Sequence, residues 1–335
     1  MRAWQLGLMI GVATITLVGA LTFVSLQTRL QPADPNGETR VFNIERGSNL
    51  AGVAQALESD GLIRDARAFI AIAEWDQLSG KLRAGEYDLS PASAPREILV
   101  HLTTGPTRMY SVSVPEGLRI RDVAERLAES GLVDAAEFEA AARNPEFVRS
   151  LGIEADDLEG YLFPETYRFP RGLSAEETAR VFIDQFNEVW VDLEPLRGEL
   201  ELSRHEIVTL ASIVEKETGA AEERPRIASV FLNRLKRGMR LETDPTVIFG
   251  IPDFDGNLRR IHLEDESNLY NTYRIRGLPP GPIASPGRAA LRAVFEPEET
   301  SYLFFVSMGD GTHFFSTRYA DHEAAVDRYQ RRRRR

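Results

Sequence analysis

Apolar positions are arranged along this chain in three ways, and each predicts a different kind of element. From Leu6 to Leu26 they are nearly continuous. The run LGLMIGVATITLVGALTFVSL carries no charge and is long enough to cross a bilayer as a helix. From Val41 onward, short alternating strands give way to helical spacing. Two such segments are alike and lie about 70 residues apart: VFNIERGSNLAGVAQALESDGLIRDARAF (Val41 to Phe69) and YSVSVPEGLRIRDVAERLAESGLVDAAEF (Tyr110 to Phe138). Each opens with a strand, turns at Gly47 or Gly117, and enters an amphipathic helix. Each helix runs into Gly61-Leu62-Ile63 or Gly131-Leu132-Val133, which predicts a glycine cap followed by an apolar contact. Between them, Leu82 to Gly105 predicts a strand, a turn and a helix, with Pro95 in the first helical turn. The strand–helix–helix–strand order of Val41 to Leu89 predicts a small α+β module.

Gln31 to Thr39 (QPADPNGET) reads as a linker. Beyond Leu151 the chain turns more aromatic, with the turn-forming segment YLFPETY from Tyr161 to Tyr167. Helical spacing then predicts helices over Ala175 to Trp190, Arg204 to Thr218, and Glu223 to Arg237, the last with Pro225 in its first turn and Gly238 as its stop. Ser285-Pro286 predicts the cap of a further helix to Phe295. Tyr302 to Met308 and Thr312 to Ser316 flank Gly309-Asp310-Gly311, a hairpin signal, and Ala320 to Tyr329 closes as a helix.

Within Arg204 to Thr218, the stretch LASIVEKET sets a carboxylate among apolar positions. At about 100° per residue, Ile207, Leu210, Ala211, Ile213 and Val214 share one arc, and Glu217 falls inside it. Glu215 falls beyond its edge and Lys216 points away. A carboxylate among aliphatic groups is desolvated, so its pKa rises. A carboxylic acid that keeps its proton near neutral pH suits glycosidic-bond chemistry as a general acid. The competing reading is a solvated helix-end glutamate or half of an ion pair.

Composition narrows the classes. The hydrophobic fraction of 43% argues against disorder, and the length suffices for two or three domains. The formal charge is −11 although Arg331 to Arg335 form a basic tail, so the body is a poor nucleic-acid partner. With no cysteine there is neither a disulfide framework nor a thiolate metal site. The five histidines (His101, His205, His262, His313, His322) show no H-E-x-x-H spacing, and no G-x-S-x-G nucleophile turn occurs. No metal or cofactor is implied. The apolar N-terminal run, with Arg2 before it and bulky residues where a signal cleavage site would lie, predicts an uncleaved anchor with a cytoplasmic N-terminus.

Several motifs in one order carry a resemblance. They are YLFPETY, the block ASIVEKETGAAEERPRIASVFLNRLKRGMRLETDPTVIFG (Ala211 to Gly250), YNTY (Tyr270 to Tyr273) and GLPPGPIASPG (Gly277 to Gly287). Together they resemble the membrane-anchored endolytic murein transglycosylases, the MltG or YceG-like family. The resemblance implies an α+β fold. Its parts are a cytoplasmic stub and transmembrane helix (1–30), a linker (31–39), a LysM-like α+β module (40–108), a second strand–helix unit (109–150), and a mixed α/β catalytic domain with a lysozyme-like active-site helix (151–335). It implies a lyase in the cytoplasmic, or inner, membrane with its catalytic domain extracytoplasmic. The implied partners are peptidoglycan glycan strands, the membrane, and peptidoglycan synthases or a division or elongation complex.

The same resemblance implies that Glu217 is the catalytic acid, the second glutamate of E-K-E-T, with Thr218 as local hydrogen-bonding support. Enzymes of this class break the bond between N-acetylmuramic acid and N-acetylglucosamine without water. The acid protonates the bridging oxygen, and the same glutamate, now a carboxylate, removes the proton of the muramic C6 hydroxyl as that oxygen attacks C1 to form a 1,6-anhydro ring. A hydrolase would need a second carboxylate. The candidates are Glu215, Glu222, Glu223, Glu242 and Asp244, of which Glu222 and Glu223 read as solvated. Asp244, in Thr243-Asp244-Pro245-Thr246, is the strongest: it binds sugar hydroxyls, with Thr246 beside it, or caps a turn. Asn233 either grips an N-acetyl group or is an exposed helix residue. Tyr270, Asn271 and Tyr273 offer rings and polar tips to a sugar chain, or simply pack. Glu165 reads as a turn residue, and GLPPGP as a rigid loop at a cleft rim. A glycan-binding scaffold without turnover is the alternative from another class.

Overall fold

The structure is a computed structural model that describes residues 28–331. The apolar run Leu6 to Leu26 lies outside the described residues, and among these no helix is long and apolar enough to cross a membrane. The fold is mixed α+β and divides into two compact units. One holds the chain up to Tyr110 with Pro170–Gly172; the other holds Ser111–Phe169 and Leu173 onward.

In the first unit, β1 (Arg40–Ile44) leads to α1 (Leu50–Ser59) and α2 (Ala66–Trp75), then to β2 (Gly85–Leu89) and α3 (Pro95–Thr104). β1 and β2 pair antiparallel with Phe42 opposite Tyr87. Asn49 and Asp65 cap α1 and α2 by accepting the Gly52 and Ala68 amides. Such short polar side chains satisfy donors that the first helical turn leaves open. Phe42, Leu57, Phe69, Tyr87, Leu99 and Leu102 meet in the core.

The second unit begins with the end of β3 (Met109–Ser113), which pairs with β4 (Thr166–Pro170). Between these strands lie α4 (Ile120–Glu129), α5 (Ala135–Ala142) and α6 (Pro145–Ser150). The two similar sequence segments end alike. After α1, Leu62 N–H bonds Leu57 O at 2.9 Å and Gly61 N–H bonds Glu58 O at 3.0 Å. After α4, Leu132 N–H bonds Leu127 O at 3.1 Å and Gly131 N–H bonds Ala128 O at 2.9 Å. With Gly61 and Gly131 at φ of +67° and +66°, both are Schellman caps whose following leucine is buried.

Two helices then build the centre of this unit. α7 (Ala175–Leu193) presents Phe182, Phe186 and Trp190 to the core. α8 (Arg204–Glu217) starts from a reciprocal cap, in which Ser203 N–H donates to Glu206 and the Glu206 N–H to Ser203 Oγ. The helical-wheel expectation of a single apolar arc is too narrow for α8, because every residue from Ile207 to Val214 is buried. Its polar members are internally satisfied. Thr209 Oγ1 donates to His205 O at 2.8 Å, and Ser212 Oγ donates to Thr209 O while accepting Ile283 N–H at 3.0 Å.

α9 (Arg224–Lys236), α10 (Asp244–Phe249), α11 (Arg260–Glu264) and α12 (Arg288–Phe295) follow, and α9, α10 and α12 all pack on α8. The cap of α12 is Gly287 and not Ser285, whose hydroxyl is buried; the Gly287 N–H donates to Glu215 at 3.0 Å. β5 (Phe304–Ser307) and β6 (His313–Ser316) form the hairpin expected around Gly309-Asp310-Gly311, and α13 (Tyr319–Val326) ends in a turn of π-helix.

Two glycines separate backbone cost from steric cost. A Cβ on Gly61 would meet nothing within 4 Å, so Gly61→Ala should cost only the left-handed backbone penalty, about 1 kcal/mol. A Cβ on Gly160, at φ +82°, would lie 2.3 Å from a ring carbon of Pro282. Gly160→Ala should therefore cost more than that penalty by about 1–3 kcal/mol, through strain in a rigid partner. Denaturant unfolding of both variants, monitored separately for each unit, checks the ordering.

Candidate active site

The end of α8 carries Glu217 to the wall of a cavity of about 460 Å³, which Arg234, Thr243, Asp244, Tyr273 and His313 also line. α8 is buried on all sides from Ile207 to Val214, so polar groups reach solvent only at its two ends, and Glu217 is its last residue. Glu217 is half-buried there. Burial pushes its carboxyl up to about 7; a hydrogen bond from Thr243 opposes the shift, and the Asp244 charge adds to it. The carboxyl is thus poised to be neutral below neutral pH.

The residue that holds Glu217 is Thr243, whose Oγ1 donates to Glu217 Oε1. Thr243 is itself fixed by α10 and the segment before Tyr273. Its N–H donates to Thr272 Oγ1 at 3.0 Å, and its carbonyl accepts Thr246 Oγ1 at 2.8 Å. The Thr246 and Thr272 hydroxyls bond each other at 2.9 Å, both wholly buried. Glu242, just before, sits at φ +52°, a left-handed conformation rare for a side chain of its size. Buried Arg234 supports the same loop, donating to Leu303 O at 2.7 Å, to Arg240 O at 3.1 Å and to Leu241 O at 2.8 Å.

The residues singled out from the sequence separate into two groups. Glu242, Asp244 and Tyr273 line the Glu217 cavity, and Tyr273 Oη donates to Asp244 Oδ1 at 2.7 Å. Burial and Asp244 together raise the Tyr273 phenol, which keeps its proton. The others do not line this cavity. Thr218 closes a turn, its Oγ1 accepting Ala220 N–H at 2.9 Å. Thr246 lies beneath Thr243. Asn271 is fully buried and donates to His262 O, Leu263 O and Asp265 O. Asn233 spends both amide hydrogens on Thr300 O (2.9 Å) and Tyr302 O (3.0 Å). Tyr270 lines a second cavity of about 600 Å³ with Glu159, His205 and the 280–282 turn of GLPPGP.

The other carboxylates also find places. Glu222 is exposed, and Glu165 accepts the Thr166 N–H as a turn residue. Glu215 is buried against Arg224 at 3.1 Å. Glu223 corrects the reading of a solvated turn: it is 6% exposed and accepts both the N–H and the Nδ1 of His313. Thr243, Arg234 and the Glu223–His313 pair were missed by sequence reasoning. Their roles come from contacts that span up to 90 residues of chain.

Comparison with known proteins places these features in context. The YceG-like family profile matches residues 42–328. A Bacillus subtilis (strain 168) protein named endolytic murein transglycosylase is 31% identical over 327 residues, which cover 92% of this chain and 89% of that protein. A Streptococcus pneumoniae (strain D39) protein of the same name is 26% identical, and the alignment covers 97% of this chain but 65% of its longer relative. A crystal structure of a yceG-like protein from Listeria monocytogenes matches with a TM-score of 0.59 at 30% identity, over 86% of this chain and 99% of that one.

The raised Glu217 carboxyl makes a stability prediction. Its folded-state value of about 7 lies above the ordinary 4.5, so the favourable neutral form is fully present below about 4.5 and lost as pH rises through 7. The ionised form then penalises the fold by up to about 3 kcal/mol. Glu217→Gln should accordingly be no more stable than the parent at pH 4.5 and more stable at pH 8, as read by urea midpoints at the two pH values.

Proposed function

The chain belongs to the YceG-like family, and from that premise we propose that it is an endolytic murein transglycosylase in which Glu217 is the general acid. The observation that carries the reading is a carboxyl raised to about 7 by burial, on the wall of a cavity, at the end of a helix buried on all sides from Ile207 to Val214. A group so poised can hold a proton at neutral pH and still release it. The substrate is the glycan strand of peptidoglycan, cut at an internal bond between N-acetylmuramic acid and N-acetylglucosamine.

Glu217 protonates the bridging oxygen as its bond to the muramic C1 weakens. The C6 hydroxyl attacks C1 from within the same sugar, which leaves a 1,6-anhydro end and uses no water. Thr243 holds the carboxyl in place through one oxygen, so the other is free to face the sugar. Asp244, oriented by Tyr273, places negative charge where C1 gains positive charge, and offers an acceptor to sugar hydroxyls. Anchoring by Leu6 to Leu26 would hold this site at the outer face of the cytoplasmic membrane, where new strands are made. The antiparallel pairing of β1 and β2 around two helices supports a LysM-like reading of residues 40–108.

Full-length protein in detergent, incubated with purified peptidoglycan, should release fragments lighter than hydrolytic ones by one water. Glu217→Gln should lower the rate by at least about 100-fold. Reducing ends instead of anhydro ends would point to a hydrolytic muramidase, with Asp244 activating water. Glycan retained but never cut would point to a scaffold.

A second expectation concerns pH. Activity should fall as pH rises through about 7, because Glu217 loses the proton it must donate. Thr243→Val removes a hydrogen bond that favours the ionised form, so it should move that limb to higher pH. A pH–rate profile of kcat/KM for both proteins checks the direction.

A further inference from the structure

Glu217 is not alone in its cavity in being able to move a proton. His313 lines the same space from β6, and its ring is fixed. Behind it, on the 3-10 turn leading into α9, Glu223 is 6% exposed. Its carboxylate accepts the His313 main-chain N–H at 2.9 Å and lies 2.6 Å from Nδ1. A carboxylate only accepts, so Nδ1 carries the hydrogen and the lone pair of the neutral ring sits on Nε2. Nε2 has no hydrogen-bond partner among the described residues. The ring of Phe305 stands edge-on to the imidazole at 5.5 Å and that of Phe315 at 6.4 Å, which limits its rotation. Besides Glu223, the titratable and charged groups around it are Glu217 from α8, Arg234 from α9, Glu242, Asp244, Tyr273 and His322.

A buried carboxylate that orients one imidazole nitrogen while the other faces a reaction space is the arrangement by which histidine takes the proton of an attacking hydroxyl. Resting on the murein-cleaving reading above, we propose that His313 is a second catalytic residue, whose Nε2 accepts the proton of the muramic C6 hydroxyl as that oxygen attacks C1. Glu223 is its positioning residue.

The steps balance. Glu217 gives its proton to the bridging oxygen, and the C1–O bond breaks with its electron pair going to that oxygen. The C6 oxygen donates an electron pair to C1, the anhydro ring forms, and the C6 proton passes to Nε2. The imidazolium then returns this proton to the Glu217 carboxylate. Glu217 therefore begins and ends neutral, and no water or second carboxylate is consumed.

The test uses the full-length protein in detergent, with His313→Asn, Glu223→Gln, His313→Gly and Glu217→Gln, each checked for an unchanged thermal melt. His313→Asn should lower kcat by about 100-fold with little change in KM. It should also shift products from anhydro ends toward reducing ends, because a sugar cation captured slowly by C6 is left for water. Glu223→Gln turns an amide toward Nδ1, disfavours the working tautomer, and should give a smaller change in the same direction. Added imidazole should partly restore His313→Gly. Full activity in His313→Asn overturns the proposal. So does a lower rate with an unchanged product ratio and no imidazole rescue, which marks a structural role. If instead the parent yields no anhydro ends, or Glu217→Gln remains active, the murein-cleaving reading itself has failed.

Discussion

α8 has no solvated face from Ile207 to Val214, and the site depends on that fact. A helix buried all round can carry polar side chains only where they close on its own backbone, as Thr209 and Ser212 do, or at its ends. Glu217 is at such an end. It lies close enough to the apolar centre to lose solvation, and far enough along to reach the cavity. The same burial that makes α8 rigid raises the carboxyl. Only one side-chain hydroxyl, from Thr243, reaches back to compensate. If α8 had an exposed stripe, water would reach the carboxylate and its proton would leave at the ordinary acidic pH.

Around this helix several polar side chains hold loops, whether they line the cavity, as Arg234 does, or lie away from it, as Asn233 and Asn271 do. Arg234 binds three carbonyls, Asn271 three and Asn233 two. Irregular backbone must find partners when it is buried, and side-chain amides and guanidinium groups supply donors in number. Within the cavity this leaves the raised carboxyl of Glu217 beside a carboxylate bonded by Tyr273 and a histidine bonded by Glu223.

This division of labour explains what could be read in the chain. Glu217 was legible because its signal is local: the apolar arc it falls in lies three to ten positions away on the same helix. The twin Schellman caps were legible for the same reason, since a glycine followed by an apolar residue completes its hydrogen bonds within six residues. Asn233 and Asn271 misled because an amide looks the same in sequence whether it meets sugar or main chain. Glu223 read with Glu222 as a solvated turn or helix-start residue, yet its partner lies 90 residues on. No periodicity reports a contact of that span. Ser285 resembled a cap by type, while Gly287, which has no side chain to signal, took the position because its N–H meets Glu215.

The hydrogen bonds from His313 to Glu223 also fix the order in which the cavity can come into being. Its lining runs from Glu217 to Gln330, nearly the last described residue. A chain made from its amino terminus reaches Gln330 about 110 residues after Glu217. The acid at the end of α8 is therefore present long before the hairpin and α13 that wall it in. Until they arrive one wall of its cavity is missing. A chain of this kind carries its own delay: the cavity is complete only once its late-made hairpin has folded back over the end of α8.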